Sequence, residues 1–356
     1  MTTPEDAFQQ LAGVFASRGN KILEIEIIPS SLGSSFLQDG CFIGITKKAL
    51  VRAFTVARHL FTKRLLPMTD DDLRASLEKK EDKSDLASDL VVTEIMLLFD
   101  CEHLTACNWR KRRLLAAAAQ CLNHTDPTLA KAQLFDAELT LLRSYQCSPL
   151  HRHTKSPTLW SHRLWVLDQW LQAEPRSAAA LFSLERAELD IVLRAAERHP
   201  KNYYAFTYMR GLQTMLENRP DGKSHPNWAA EWTTRLLNPV LNWCLANPRD
   251  ISGWAFGLYL LQRVPEPALR ADAVSRVLQF ARDVGWDGES LWTFVDLAVR
   301  QFDLESVIAA VFPCDREPTA SISRPSTQSP ASTSKWAWKA RLERAQAYWG
   351  AYGATQ

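Results

Sequence analysis

Between about residues 86 and 304 the chain alternates long stretches of helical period with short breaks carrying Pro, Asn, Ser or Gly, and no strand pattern intervenes. Such a rhythm predicts helical hairpins. Their first members are "LASDLVVTEIMLLFD", "LAKAQLFDAELTLLRSYQC", "LFSLERAELDIVLRAAERH", "WAAEWTTRLLNPVLNWCLA" and "PALRADAVSRVLQFARDVG". Pro239 predicts a bend or split in the fourth, because it removes an amide donor from the helix interior.

The second members align on one aromatic position: "CNWRKRRLL" at Trp109, "SPTLWSHRLWVL" at Trp160, "PKNYYAFTYMRGL" at Phe206, "PRDISGWAFGLYLL" at Trp254 and "GESLWTFVDLAV" at Trp292. These anchors are 51, 46, 48 and 38 residues apart, the irregular period of a helix-pair repeat with variable loops. In the second copy Ser156 can cap the helix, Pro157 suits its first turn, and Trp160, Leu164, Leu167 and Leu171 share one face. In the third, Asn202 takes the capping place. Three positions after the anchor stand Arg112 and Arg163, which can stack on the ring or brace the repeat against a carboxylate of an adjacent helix.

Four divisions follow. Residues 1–85 form an N-terminal segment in which "TKKALVRAFTVARHLFTKRLL" (46–66) is a basic amphipathic helix. It can lie on a membrane or dock on the first repeat, and docking is the reading adopted. Residues 86–304 hold about five helix pairs, 305–334 form a Ser/Thr/Pro-rich linker with little to bury, and 335–356 form a helix capping the array. "DDD" at 70–72 is no metal site without further ligands.

Charge and cysteine usage narrow the function. The 42 basic residues balance 40 acidic ones at a net +2, which argues against a nucleic-acid partner. No apolar run is long enough for membrane insertion and the N-terminus has no signal-peptide pattern, so a cytoplasmic chain is expected. The seven cysteines form no Cys-x-x-Cys pair, and the spacing of Cys101, His103 and Cys107 does not suit structural zinc. No metal site is expected.

Pro-Lys-Asn-Tyr-x-x-aromatic at 200–206, with Trp-x-x-Arg in sister copies, resembles the repeat of protein prenyltransferase alpha subunits. "EIEIIP" at 24–29 and "KSPTLWSHRLWVL" at 155–167 resemble the branch described as protein prenyltransferase alpha subunit repeat-containing, and the resemblance spans roughly residues 20–300. It departs at Thr105 and Asp250 for Asn, Phe206 for Trp, and Met209 and Gly257 for Arg. The resemblance implies an all-α fold, a right-handed superhelical solenoid of antiparallel helix pairs wrapped around a separate beta subunit. Its implied function is the alpha-type subunit of a protein geranylgeranyltransferase, inactive alone and assisting prenyl transfer to C-terminal cysteines of substrate proteins, SNARE-type proteins among them. The implied partner is the beta subunit shared with Rab geranylgeranyltransferase. That subunit would hold the zinc and the prenyl diphosphate, and this chain would bind no cofactor itself. Two alternatives are an alpha subunit of farnesyltransferase or of the Rab enzyme, and a non-enzymatic helical-repeat scaffold.

By the same resemblance, Lys155, five residues before Trp160, approaches the diphosphate, with Lys201 at the same offset in the third copy. His162, Arg163, Tyr203 and Tyr204 fall at positions for further diphosphate or interface contacts. Read without the family, the two lysines are equally solvated charges in interhelical turns, and His162 and Tyr203 are packing residues.

Overall fold

The computed structural model describes residues 3–78, 83–123, 125–172, 177–219, 228–312 and 343. The chain divides into two compact units, Met1–Ser224 and His225–Gln356.

In the first unit, helix α1 (Pro4–Ser17) opens on a capping box in which Thr3 and Asp6 exchange backbone and side-chain hydrogen bonds. A three-stranded sheet follows: β1 (Glu24–Ile28), β2 (Phe36–Asp39) and β3 (Phe42–Thr46) in the order β1-β3-β2. β1 runs parallel to β3 with Ile25 opposite Ile43 and Ile27 opposite Ile45, and β2 is antiparallel to β3. This corrects the all-α expectation. The lead-in "EIEII" is a strand because its isoleucines are β-branched, and Ile25, Ile43 and Ile45 are buried while Glu26 points out. Gly40 supplies the positive φ that the turn from β2 to β3 needs.

Helix α2 (Lys47–Leu60) passes into a π turn, Phe61–Leu65, marked by the bond from the Leu66 amide to the Phe61 carbonyl. Ala49, Leu50, Ala53, Ala57, Phe61 and Leu65 are buried, and α2 packs on α1 and on α4 (Lys83–Phe99). The division expected at residues 85 and 86 falls inside α4. Between α2 and α4 lies α3 (Asp70–Glu78), which packs on α5 (Leu104–Gln120).

From α4 onward helices come in pairs: α4 with α5, α6 (Pro127–Cys147) with α7 (Pro157–Gln172), and α8 (Ala178–Arg198) with α9 (Tyr203–Glu217). Alternate helices also stack, α6 on α8 and α5 on α7 on α9, so the pairs form two layers. The sheet joins this core at the end of α6, where the hydroxyls of Ser144 and of Ser148, the C-cap, accept from the Leu23 and Ile25 amides at 2.9 and 2.8 Å. Those serines satisfy donors on an unpaired strand edge.

The second unit contains α10 (Trp228–Ala246), α11 (Ile251–Arg263), α12 (Pro267–Val284), α13 (Glu289–Phe302) and α14 (Glu305–Val311). α10 pairs with α11 and α12 with α13, and α11 stacks on α13. Helix α10 continues through Pro239 without splitting, since packing of Trp232, Leu236, Leu237, Val240 and Leu241 outweighs one lost hydrogen bond. Residues 305–311 of the expected linker are helical. Its remainder from 313 and the capping helix expected at 335–356 lie outside the described residues, Glu343 apart.

Candidate functional site

The turn inside each pair is built on a cap. The Ala106, Leu159 and Ala205 amides donate to His103 Nδ1, Ser156 Oγ and Asn202 Oδ1 at 3.2, 3.1 and 3.2 Å. In the second unit Asp250 accepts from the Ser252 and Gly253 amides, and Gly288 stands at the same place without a side chain. Four residues after each cap come Cys107, Trp160, Phe206, Trp254 and Trp292. All five are buried.

This frame moves the first anchor from Trp109 to Cys107. The indoles of Trp160, Trp254 and Trp292 each donate to the carbonyl six residues back, at Thr154, Pro248 and Trp286, over 2.9, 3.0 and 2.9 Å. The Trp109 indole N–H is buried with no partner among the described residues. Its place in the frame is that of His162 and Tyr208, two residues after the anchor.

The same shift reassigns the arginine. Arg110, not Arg112, corresponds to Arg163. Arg110 Nε and Nη2 grip Glu138 at 2.8 and 2.5 Å, its Nη1 donates to the Leu90 carbonyl at 3.1 Å, and His162 Nε2 meets the same carboxylate at 2.8 Å. One repeat later Arg163 Nε and Nη2 hold Glu188 at 2.7 and 2.6 Å, its Nη1 reaches the Leu139 carbonyl at 3.1 Å, and the Tyr208 hydroxyl donates to Glu188 at 2.6 Å. Each brace ties four successive helices, α4 to α7 in the first and α6 to α9 in the second, through charge-assisted bonds. Burial pushes the Glu138 carboxyl up, but Arg110 and His162 overcome it and hold the group well below the usual carboxylate range. Burial and the Glu188 charge push the Tyr208 hydroxyl well above its ordinary value.

His162 and Arg163, expected at diphosphate or interface positions, are 1% and 2% exposed within this chain and bonded into these braces. Arg112 is on the surface, bonded to Asp70 at 2.6 Å and to the Met68 carbonyl at 2.8 Å, where it fastens the start of α3. Glu138 and Glu188 were not singled out from the sequence. A signal existed, since both stand in Ala-Glu-Leu on the first helix of successive pairs.

Lys155, Lys201, Tyr203 and Tyr204 occupy the turns. Lys155 ends a 3-10 turn, His153–Lys155, and is half-buried. Lys201 is exposed with φ 60°, the left-handed conformation that lets α8 end and Asn202 start α9. The two turns touch: Asn202 Nδ2 donates to the Thr154 carbonyl at 2.7 Å, and the His151 and His199 rings meet edge to face at 4.4 Å. Partial burial lowers the His199 pKa, and the charges of Lys155 and His151 lower it further. Tyr203 and Tyr204, 51% and 48% exposed, open α9 at this edge. The turns thus present cations and phenol rings together on one surface.

The neighbouring Cys101–Cys107 stretch is structural. The Cys101 carbonyl accepts from Ser156 at 3.0 Å, His103 is the cap, and burial pushes the Cys101 thiol up to about 11 and the Cys107 thiol up to about 12. Among the described residues no group of three or more His, Cys, Asp or Glu could hold a metal ion.

Residues 185–216 match the family model of the protein prenyltransferase alpha subunit repeat. The match runs from Glu185 in α8, through Glu188 and the Lys201–Asn202 turn, to Leu216 of α9. No curated protein matches the chain. No helix among the described residues is long and apolar enough to cross a membrane.

Proposed function

We propose that this chain is the alpha-type subunit of a heterodimeric protein geranylgeranyltransferase. The observation that carries the reading is the matched repeat at 185–216, whose turn exposes Lys201, Tyr203 and Tyr204 beside the turn of Lys155. In this reading the helix pairs continue as a right-handed superhelical array around a zinc-bearing beta subunit, the one shared with Rab geranylgeranyltransferase. The heterodimer works in the cytoplasm on C-terminal cysteines, SNARE-type proteins among its substrates.

The substrate thiolate forms a bond to C1 of the prenyl chain while the C1–oxygen bond breaks and diphosphate leaves with the electron pair. Negative charge grows on the leaving oxygens. Ammonium groups fixed at Lys155 and Lys201 stabilise that charge without being consumed, and Tyr203 and Tyr204 offer phenol donors next to them. The braces at Glu138 and Glu188 hold the turns in place from inside.

Co-expression with each candidate beta subunit, followed by size-exclusion chromatography and a prenylation assay, tests the proposal. A stable 1:1 complex with the Rab geranylgeranyltransferase beta subunit and transfer of a geranylgeranyl group are expected. A chain that elutes as a monomer beside every beta subunit would sink it.

A further inference from the structure

Helix α2 and its π turn carry Lys47, Lys48, Arg52, Arg58, His59, Lys63 and Arg64 and no acidic residue. The buried residues Ala49, Leu50, Ala53 and Ala57 lie on the side that packs against α1 and α4, and the cations are left on the outer side. Arg64 pairs with Asp89. The side chains of Lys47, Lys48, Arg58, His59 and Lys63 are exposed and make no ion pair or hydrogen bond among the described residues. The acids that follow are engaged: Asp70 with Arg112, Asp71 with Arg74, and Asp72 with Thr69.

We propose that this outer face of α2 binds anionic lipid headgroups, placing the folded protein on a negatively charged membrane surface without insertion. The charges run in a line of about 25 Å along one helix, at the helical rise of ~1.5 Å per residue. Val51 and Leu66, 41% and 48% exposed, stand beside them. The intervening hydroxyls of Thr55 and Thr62 donate to the Val51 and Arg58 carbonyls of the same helix, so they ask for no external partner. Dispersed cations with small apolar groups between them suit a fluid headgroup layer, which needs no shape complement. An acidic protein would need one. Each lysine or arginine near an anionic leaflet raises partition roughly fivefold, so four unpaired ones give an effect on the order of several hundredfold, reversible and sensitive to salt.

The test is co-sedimentation of the full chain, without any partner, on vesicles of phosphatidylcholine with about 30% phosphatidylserine against pure phosphatidylcholine, at low and high salt. Expected are pelleting on the anionic vesicles alone, release by salt, and a loss of at least tenfold in the Lys48→Glu, Arg58→Glu, Lys63→Glu variant with unchanged circular dichroism. The Gln versions of the three substitutions should lose less. Equal pelleting of wild type and variant, or no preference for anionic vesicles, overturns the proposal. So does a preference for soluble polyglutamate over vesicles, which would assign the face to an acidic protein. Because no beta subunit or activity enters the assay, its outcome is separate from that of the transferase reading.

Discussion

Arg163 and Glu188 form a two-pronged ion pair at 2.7 and 2.6 Å, with side chains 2% and 4% exposed, between α7 and α8. A buried pair of this kind contributes little over a well-packed apolar pair, but removing one partner strands the other charge. Arg163→Met should therefore lower stability by about 3–5 kcal/mol, the range for a broken buried pair. Adding Glu188→Leu should recover part of that loss, less the cost of an unpaired Tyr208 hydroxyl. Urea unfolding of the two single variants and the double variant measures the coupling; strictly additive losses would mean that the two side chains do not lean on each other.

The shift of the first anchor from Trp109 to Cys107 makes two conservative changes behave differently. Trp160→Phe removes the indole donor and leaves the Thr154 carbonyl with only the Asn202 amide, at a cost of about 1–2 kcal/mol beyond the packing change. Trp109→Phe removes an N–H that has no partner among the described residues and should spare that hydrogen-bond term. Thermal melts compare them. A larger loss at Trp109 than at Trp160 would contradict the frame drawn from the caps.

Why one anchor slipped is a matter of what a sequence displays. Large aromatics advertise themselves, and in the first pair the ring at 109 lies two residues from the thiol that fills the anchor site. The caps at Ser156 and Asn202 were legible because a polar side chain before a helical period has a local job. The acids of the braces showed only as a repeated Ala-Glu-Leu, since an exposed glutamate and a buried one look alike until the partner arginine is placed by tertiary packing. Likewise the helical pairs were legible from their period over long stretches, whereas the sheet rests on strands of four and five residues whose edge is satisfied by serines far along the chain. The lysine turns were marked out by family likeness. Their adjacency is a product of the fold.

His153 gives the protein an acid-sensitive core. Its ring is 6% exposed, with Nε2 2.9 Å from the Leu97 carbonyl, and burial pushes its pKa down from 6.5 to about 4 despite that hydrogen bond. The folded state therefore binds fewer protons than the unfolded state between those values. Stability is intact above pH 6.5 and falls as the pH drops toward 4, by up to about 3 kcal/mol, since each tenfold difference in proton affinity between the two states is worth ~1.4 kcal/mol. Urea midpoints at pH 7, 6 and 5 should decline, and His153→Gln should flatten the decline over that interval. A midpoint that rises on acidification would show that the ring is protonated in the folded protein.

Lys155 and Lys201 lie one residue from the hydrogen bond that joins their turns, Thr154 to Asn202, so the fold fixes both backbones at one edge. Neither side chain is part of the buried core. At φ 60° a lysine and an alanine carry the same Cβ cost, so Lys201→Ala removes the charge and leaves the backbone balance as it was. If the proposed transferase reading holds, Lys155→Ala should leave the complex with the beta subunit intact and slow single-turnover transfer by ten- to a thousandfold, as expected for a lost stabiliser of leaving-group charge of roughly 1.4–4 kcal/mol. Lys201→Ala should do less, because Lys201 is the more exposed of the two. Binding of the prenyl diphosphate, measured alongside, separates ground-state from transition-state effects: a loss confined to the rate places the ammonium on the departing diphosphate, and a loss of binding alone places it on the bound substrate. Full-rate transfer by the double variant would show that the turns only position the chain against its partner.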